Sequence, residues 1–589
     1  MSNEQISKLL RNIAAAYTIK NEKKFRFQII AYQKAADSIA NSSIELVDYH
    51  KEGRFQDIPG IGESIKEHLD ELFKTGKVKY FEWALAGIPD SVFVLMDIPS
   101  FGPKKAYRLV EEFKLVNPKT VIADIKKLAA KGRIAPLKGF GEKSQEDILR
   151  AIREFKEGKG KTTRMVLPFA SEIADKIIQY LNRYPGVMDA RTLGSLRRMV
   201  PTIGDIDIAV ASNNATEVIG HFVKYPYLER IIEKGDVTAS ILVSGGRQVD
   251  LMVQPPNALG SLLQHFTGSK NHNITLREFA LKKGLSLSEY GIKNLKKKNS
   301  KIQLYSSEES FYKTLGLQWI APEIRENTGE IELSAKNKLP KLVELESINA
   351  DFHLHSSFPI EPSHDLGSSS IEEIMKKAIS LNYSYIGFSE HNPSISKHTK
   401  DQIYNLIKAR NNKIDQVLSG KKNIRVLKLL EVDILPSGDL AIDNKSLDLL
   451  DFVIVSVHSV FSMNKSLMTQ RVIKGLSHPK AKVLAHPTGR LLNQRSGYEL
   501  DWEKIFKFCK GSNKALEINA WPTRLDLSDQ IIRQAVNLGV KMVINTDSHA
   551  SYQMDNIKYG VAMARRGWAT KSDILNTLEY NEFINWLRR

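Results

Sequence analysis

Three aspartates on two strand-like segments could hold divalent metal ions. Residues 204–210 alternate apolar and acidic side chains, which is typical of a β-strand and places Asp205 and Asp207 on one face. A second strand-like run, residues 247–253, contributes Asp250 as a third carboxylate. Three converging carboxylates suit Mg²⁺, and a site with two such ions lowers the barrier to in-line phosphoryl transfer. An isolated Asp-x-Asp pair would more often be a solvated edge strand.

Polar groups ahead of these aspartates could bind phosphate. Gly194 and Ser195 offer a backbone N–H and a hydroxyl, and Arg198 adds a charge-assisted contact. Gly204 directly precedes the first aspartate and is assigned to the same nucleotide site. The segment therefore predicts a site for a triphosphate beside the metal ions.

Six strand-like runs in the last third of the chain end in ligand-type side chains. From about residue 340, short apolar runs alternate with helical stretches, as they do in βα units. The strand ends of a (β/α) barrel share one face, where active sites lie, and His with carboxylates suits Zn²⁺, Mn²⁺ or Fe²⁺. One such histidine could be a core residue, but six successive cases predict a metal centre. The side chains are His353, His355, His391, Glu431, His458, His486, Asp547 and His549.

Three glycine-containing turns in the first 160 residues precede helix-compatible stretches. They are residues 58–62, 98–102 and 137–141. Glycines allow tight turns, and the N–H groups that begin the next helix can bind phosphate. Each turn alone would be an ordinary helix connection, but three in a basic region predict a sequence-independent grip on a nucleic-acid backbone. The candidate DNA contacts are Gly60, Gly62, Gly102, Gly139 and Gly141.

Length and composition bound these interpretations. A chain of 589 residues is too long for one hydrophobic core, and the net charge of +18 favours a polyanionic partner. No apolar run approaches the roughly 20 residues that span a bilayer, and the N-terminal segment lacks a secretory signal. The single Cys509 fits a reducing compartment. We therefore expect a cytoplasmic protein without membrane association, and a monomer by default.

The aspartate segments, with the preceding Gly-Ser and double arginine, resemble the family X DNA polymerases of the nucleotidyltransferase superfamily. Downstream, residues 266–270 resemble the fingers that close on the nascent base pair. The resemblance implies that His265, Phe266, Gly268, Asn273 and Arg277 contact the incoming nucleotide, with the last two on the minor-groove side.

Two of the positions that depart from that family bear directly on its activities. His265 stands where the family usually has a tyrosine, so discrimination against ribonucleotides is left open. His68 occupies the helix position at which members with deoxyribose-phosphate lyase activity have a lysine. An imidazole cannot form the required Schiff base, so weak or no lyase activity is predicted. Lys66 and Lys74 lie nearby but are interpreted as solvated lysines.

The histidine-rich third resembles the PHP (polymerase and histidinol phosphatase) domain, a distorted barrel with a trinuclear metal site. By that resemblance, the eight side chains named above fall on ligand positions. A ninth is expected in the loop of residues 357–367, where Asp365 is the first choice and His364 and Glu361 are the alternatives. Arg490 is expected to bind phosphate near the mouth of the site.

Together these resemblances predict a multidomain α/β protein. A helical helix-hairpin-helix region is followed by a nucleotidyltransferase palm with fingers and by a distorted (β/α) barrel of the PHP type. The expected boundaries are a DNA-end-binding domain at 1–85, a second helix-hairpin-helix region at 86–160, the palm at 161–255, the fingers at 256–335 and the PHP domain at 336–589.

The implied function is gap-filling DNA repair synthesis on gapped or nicked DNA from deoxynucleoside triphosphates. Mg²⁺ or Mn²⁺ would serve the polymerase site, and up to three Mn²⁺, Zn²⁺ or Fe²⁺ ions a 3′–5′ exonuclease or 3′-phosphoesterase site. One alternative is a PHP phosphoesterase tethered to DNA by a weakly active or inactive polymerase half. The other is a non-catalytic DNA-end-binding protein, for which the hairpins and the positive charge would suffice.

Overall fold

The computed structural model describes residues 1, 3–40, 46, 50, 61–98, 101–156, 164–243, 247–420, 423–493 and 497–588. The chain forms two compact units, Met1–Thr162 and Thr163–Arg589. Among the described helices, none combines the length and the apolar composition needed to cross a membrane.

The described part of the first unit is helical. One apolar core, with Ile13, Tyr17 and Leu69, lies among the first four helices, and a second, with Leu109 and Ile148, lies among the last four. The helices are α1 (Asn3–Asn21), α2 (Arg26–Ala40), α3 (Glu63–Thr75), α4 (Lys79–Leu85), α5 (Asp90–Met96), α6 (Pro103–Glu112), α7 (Val121–Ala130) and α8 (Glu142–Lys156).

The second unit begins with a five-stranded sheet of order β2-β4-β7-β6-β5. Strands β4 and β7 are parallel, and the other pairings in this sheet are antiparallel. Ile208 and Leu251 on these two strands are buried in a core that includes Ile177 of helix α9. The elements are β1 (Met165–Val166), α9 (Leu167–Asn182), β2 (Asp189–Thr192), α10 (Gly194–Arg197), β3 (Thr202–Ile203), β4 (Ile206–Ala211), α11 (Ala215–Phe222), β5 (Leu228–Lys234), β6 (Thr238–Val243) and β7 (Arg247–Gln254).

Residues 256–335 form a smaller helical segment with a three-stranded antiparallel sheet of order β10-β9-β8. Its core surrounds Phe311, Tyr312 and Leu276. The elements are α12 (Leu259–Thr267), α13 (Lys270–Lys282), β8 (Leu285–Ser288), β9 (Gly291–Asn294), β10 (Ile302–Gln303), α14 (Glu308–Thr314) and α15 (Glu330–Ala335).

The last 240 or so residues form a parallel barrel. Two parallel sheets, β11-β12-β13 and β14-β15-β16-β17-β18, are joined by bridges between His391 and Glu431 and between Leu354 and Ser548. The strands are buried on both faces because helices cover the outside.

The barrel strands are β11 (Ala350–Leu354), β12 (Tyr385–Phe388), β13 (Arg425–Lys428), β14 (Glu431–Asp433), β15 (Val453–Ser456), β16 (Ala481–Leu484), β17 (Ala515–Asn519) and β18 (Met542–Asn545). The helices are α16 (Ile371–Ser380), α17 (Lys400–Leu418), α18 (Asn444–Leu447), α19 (Lys465–Leu476), α20 (Trp502–Gly511), α21 (Asp529–Leu538), α22 (Ile557–Arg566) and α23 (Tyr580–Arg588). This architecture confirms the multidomain α/β fold with a distorted C-terminal barrel.

Candidate active sites

The structure brings the three predicted aspartates together at one edge of the five-stranded sheet. Asp207 on β4 is the register partner of Asp250 on β7, and Asp205 directly precedes β4. One carboxylate oxygen from each lies within 4.8 Å of the others. Gln248 donates from its amide nitrogen to both oxygens of Asp250, each at 3.0 Å, and thereby orients that carboxylate.

The electrostatics of this triad favour cations. Burial, together with the negative charges of Asp205 and Asp250, raises the pKa of Asp207 to about 7 against the opposing effect of Arg198. Three carboxylates in such a space are stable together only when positive charge offsets their repulsion. The donor set therefore fits hard divalent cations such as Mg²⁺.

The predicted phosphate contacts lie beside the triad. Gly194 begins the short helix α10 with φ of +56°, and a side chain there would collide with the carboxylate of Asp207. Glycine thus allows the helix to approach the metal site closely. Ser195 follows on the same helix, and Gly204 lies directly before the triad.

The residues expected to contact the sugar and the base also lie together, where α12 meets α13. Asn273 donates to the backbone carbonyl of His265 at 2.6 Å, and Arg277 lies 3.4 Å from the Nδ1 atom of that histidine. The rings of His265 and Phe266 have centroids 4.8 Å apart. Gly268 follows with φ of +67°. His265 therefore lies beside Phe266, Asn273 and Arg277 and presents an imidazole where a phenol group was expected from the family.

The barrel gathers all eight predicted ligand side chains at the carboxyl ends of its strands. Glu431 is at the centre: its Oε2 lies 2.9 Å from His391 Nδ1 and 3.2 Å from His353 Nε2. Its Oε1 lies 2.8 Å from His486 Nε2 and 3.3 Å from His458 Nε2.

Asp547 is the second carboxylate of this cluster. Its Oδ1 lies 3.3 Å from His355 Nε2 and 3.4 Å from His353 Nε2. The rings of His355 and His549 stack with centroids 4.1 Å apart. His486 and Asp547 have φ of +27° and +56°, so the backbone is strained at two of the ligand positions.

The chemistry of these donors fits metal ions. Among the described residues, buried ring nitrogens of His353, His355 and His391 and the Oε2 of Glu431 form no hydrogen bond of suitable geometry, although two of these nitrogens lie within 3.2 Å of that oxygen. Burial opposes the ionisation of Glu431, but His391, His353 and His458 outweigh it and hold its pKa well below the usual range. Unsatisfied imidazoles around buried anionic carboxylates match the ligand preference of Zn²⁺, Mn²⁺ and Fe²⁺.

The loop of residues 357–367 brings one of the three candidates for the ninth ligand to the cluster. The structure brings His364, not Asp365, to the cluster: its Nε2 lies 3.2 Å from Asp433 Oδ1, and its ring centroid is 4.3 Å from that of His458. Glu361, the other alternative, pairs with His398 at 2.9 Å. Among the described residues, no cluster of potential metal ligands includes Asp365.

Two carboxylates in the barrel site were not predicted. Asp433 lies on β14 and accepts from His458 Nδ1 at 2.7 Å. Glu517 on β17 lies 2.7 Å from His353 Nδ1. Asp433 shares a strand face with Glu431 at a spacing of two residues, which is the signal that identified Asp205 and Asp207. Glu517 stands within its strand rather than at the strand end, where the ligands were sought.

The side chain of Arg490, which was expected to bind phosphate near the mouth of the site, instead contacts a neighbouring loop. Arg490 donates from Nε to the backbone carbonyl of Arg524 at 2.9 Å and from Nη2 to that of Leu525. It therefore supports a loop rather than the mouth of the site. The side chain of Arg524 lies 3.5 Å from Asp547 and is 18% exposed, which places a cation beside the cluster.

The glycine turns of the first unit precede helices as predicted. Helix α3 begins directly after Gly62, α6 after Gly102, and α8 after Gly141. Gly139 has φ of +84°, which forms the third turn. Gly60 lies outside the described residues.

Comparisons with known proteins cover all three parts of the chain. Residues 1–78 match the family model for a helix-hairpin-helix domain, residues 262–326 that for the DNA polymerase beta thumb, and residues 351–520 that for the PHP domain. The segment predicted as fingers, 256–335, thus contains the match to the family's thumb.

Individual relatives agree with this division. The chain is 32% identical over 595 residues to the DNA polymerase/3′-5′ exonuclease PolX of Bacillus subtilis, covering 100% of both proteins. It is 25% identical to rat DNA polymerase lambda over 55% of this chain and 56% of that protein. It is 24% identical to a probable phosphatase of Thermoanaerobacter sp. over 38% of this chain and 89% of that protein. The chain belongs to the bacterial family X DNA polymerases that carry a C-terminal PHP domain.

Proposed function

We propose that this protein fills short gaps in DNA and trims or unblocks 3′ ends, using two separate active sites. The observation that carries the proposal is the presence of two separate clusters of side chains that could hold metal ions. One is the aspartate triad of the palm, and the other is the histidine and carboxylate cluster of the barrel. The full-length similarity to a protein named as both polymerase and exonuclease supports the pairing of these activities.

In the palm, Asp205, Asp207 and Asp250 would hold Mg²⁺ or Mn²⁺. The ions supply activation of a 3′-hydroxyl and neutralisation of the triphosphate. Arg198 and the start of α10, with Gly194 and Ser195, would bind the phosphates of the incoming deoxynucleotide.

The thumb side of this site would select the nucleotide. His265 and Phe266 would contact the sugar, and Asn273 and Arg277 the minor-groove side of the new pair. Gly268 and Gly204 would let the backbone pass close to the nucleotide.

In the barrel, the histidines with Glu431 and Asp547 would hold up to three Mn²⁺, Zn²⁺ or Fe²⁺ ions. The ions supply an activated water and polarise the phosphate ester. His364 and Asp433 complete the cluster on one side, and Arg524 would bind the phosphate of the 3′ end. This site would act as a 3′–5′ exonuclease or 3′-phosphoesterase.

The helical unit would bind gapped or nicked DNA. The hairpins that end at Gly62, Gly102 and Gly141 would hold phosphates through the N–H groups of the following helices, whatever the DNA sequence. Such a protein would act as a monomer in the cytoplasm.

Incubation with a duplex that contains a one-nucleotide gap tests the proposal. A labelled primer should be extended by one nucleotide with deoxynucleotides and Mg²⁺ or Mn²⁺, and shortened with Mn²⁺ alone. Shortening without extension under all metal conditions would favour the tethered phosphoesterase instead. If neither reaction occurs and the purified protein contains no metal, the result would favour a non-catalytic DNA-end-binding protein.

A further inference from the structure

The barrel reaches the polymerase half through the last residue of helix α22. The side chain of Arg566 is 5% exposed and carries three strong contacts. Its Nη1 donates to the backbone carbonyl of Arg198 at 2.8 Å and to Glu326 Oε1 at 3.0 Å. Its Nη2 donates to Asp529 at 2.5 Å. Because Asp529 begins barrel helix α21, the guanidinium is fixed to the barrel on one side and to the polymerase half on the other.

The oxygen of Glu326 that Arg566 contacts is shared with Arg198. The Nε of Arg198 donates to the same Oε1 at 3.0 Å, and its Nη1 donates to the carbonyl of Thr267 at 2.5 Å. One carboxylate oxygen therefore lies between two guanidinium groups. Among the described residues, the Nη2 of Arg198 has no hydrogen-bond partner, so this arginine keeps a donor for an anion.

This arrangement bears on the charge that Arg198 can offer. A carboxylate paired with Arg198 alone would offset its positive charge and compete with a triphosphate. Arg566 draws on the same oxygen, which weakens that competition. Arg566 also binds the backbone carbonyl of Arg198 and so restrains the backbone that carries the Arg198 side chain.

The charge state of Arg566 supports the same conclusion. Burial opposes its charged form, but Asp529 and Glu326 outweigh that effect and raise its pKa. The guanidinium is therefore a permanent cation in a buried position, and its removal would take a cation from Asp529 and leave Glu326 paired with Arg198.

We propose that Arg566 is a positioning residue for nucleotide binding. By holding Arg198 and sharing Glu326, it makes the affinity of the polymerase site for deoxynucleoside triphosphates depend on the barrel. The proposal rests on the proposed function of Arg198 as a phosphate contact.

The neighbouring Arg565 provides a matched control. It donates from Nε to Glu323 at 2.8 Å and from Nη1 to the carbonyl of Val343 at 3.1 Å. It therefore anchors the same helical turn to the same segment. Among the described residues it has no contact with Arg198 or Glu326.

Steady-state extension of a one-nucleotide gap tests the proposal, with kcat and KM for the deoxynucleotide measured separately. Arg566→Ala should raise KM about tenfold, as expected for the loss of one charge-assisted contact, with kcat changed less than about twofold. Arg565→Ala should keep KM near that of the wild type. Hydrolysis of a 3′ end by the barrel site should be unchanged in both variants, which shows that the barrel is folded.

A second background isolates the path through Glu326. In a Glu326→Gln protein, Arg566→Ala should raise KM by no more than about threefold, because the competing charge is already gone. Arg566→Lys should raise KM severalfold in the wild-type background, because an ammonium cannot reach the Arg198 carbonyl and Asp529 together.

Three results would overturn the proposal: an unchanged KM in both Arg566 variants, an equal rise in Arg565→Ala, or the full tenfold rise in the Glu326→Gln background. If Arg566→Ala misfolds and loses 3′-end hydrolysis, the test rests on Arg566→Lys alone. A KM for the deoxynucleotide equal to that of the wild type in Arg566→Lys would then contradict the proposal. If the wild-type protein itself does not extend the primer, the proposed polymerase function is what fails.

Discussion

The Nδ1 atom of His353 lies 2.7 Å from Oε1 of Glu517, and both side chains are fully buried. A carboxylate at this nitrogen directs the other ring nitrogen, Nε2, towards Glu431 at 3.2 Å and Asp547 at 3.4 Å. Glu517 therefore sets the orientation of an imidazole that would bind metal, although it lies behind the cluster.

Glu517→Gln should weaken metal binding by the barrel, because a neutral amide is a poorer partner for the ring N–H. Outer partners of this kind typically contribute about 10–100-fold to metal affinity. The measurement is 3′-end hydrolysis as a function of Mn²⁺ concentration, with gap filling recorded on the same protein. Glu503→Gln, at an exposed position of the barrel, is the control. An unchanged Mn²⁺ dependence in Glu517→Gln would show that the carboxylate has no such role.

Glu308 should make the second unit sensitive to acid. Burial opposes its ionisation, but Arg325 and Arg197 outweigh that effect and lower its pKa to about 2, below the ordinary value of 4.5. Because the folded-state pKa is lowered, the stabilisation is complete above about pH 4.5 and is lost as the pH falls towards 2.

Glu308→Gln should therefore lower the free energy of unfolding at pH 7 by about 3 kcal/mol, since it leaves buried arginines without their carboxylate. The difference from the wild type should shrink below pH 4.5. Urea unfolding at a series of pH values measures it. A difference that stays constant down to pH 3 would contradict the assignment.

Arg524 and Arg490 should behave differently when each is replaced by alanine. Arg524→Ala should raise KM for a DNA 3′ end about tenfold, because it removes a cation beside the cluster. Arg490→Ala should lower the melting temperature, since two backbone carbonyls lose their donor at a cost of about 1–3 kcal/mol each. Exonuclease kinetics and thermal unfolding on both variants distinguish the two. If Arg490→Ala raises KM and Arg524→Ala lowers only the melting temperature, Arg490 is the residue that binds the phosphate.

Lyase activity should be weak or absent in the helical unit. Burial lowers the pKa of His68, its Nδ1 lies 2.8 Å from the hydroxyl of Tyr32, and its ring stacks on Tyr80 with centroids 4.4 Å apart. An imidazole is not a primary amine and cannot form a Schiff base. Borohydride trapping on an abasic 5′ end should give no adduct. If an adduct forms, its loss in Lys66→Ala or Lys74→Ala would identify the amine and refute the prediction.

Sequence periodicity predicted those parts of the sites that lie on strands. The side chains of Asp205 and Asp207 share a face because strand residues alternate, and the barrel ligands meet because parallel strands end at one edge. These relations follow from backbone geometry alone. They therefore needed no knowledge of how distant segments pack.

Sequence periodicity could not predict the conformations of loops or the contacts between distant segments. Asp365 and His364 are neighbours in a loop without a period, so only the folded backbone decides which of them turns towards Asp433. Arg490 has the right charge for a phosphate, but its direction depends on carbonyls at Arg524 and Leu525. The contact between Arg566 and Glu326 joins residues separated by 240 positions. No local pattern indicates it.

If the palm and the barrel catalyse two separate reactions, a variant of one site should lose one reaction and keep the other, and a single gel shows this. Wild-type protein, Asp207→Ala and His353→Ala are incubated with a labelled primer on a one-nucleotide gap, with and without deoxynucleotides, in Mg²⁺ and in Mn²⁺. Asp207→Ala should abolish extension and keep shortening, whereas His353→Ala should abolish shortening and keep extension. Loss of both reactions in either variant, with the protein still folded, would show that the two reactions do not belong to two separate sites.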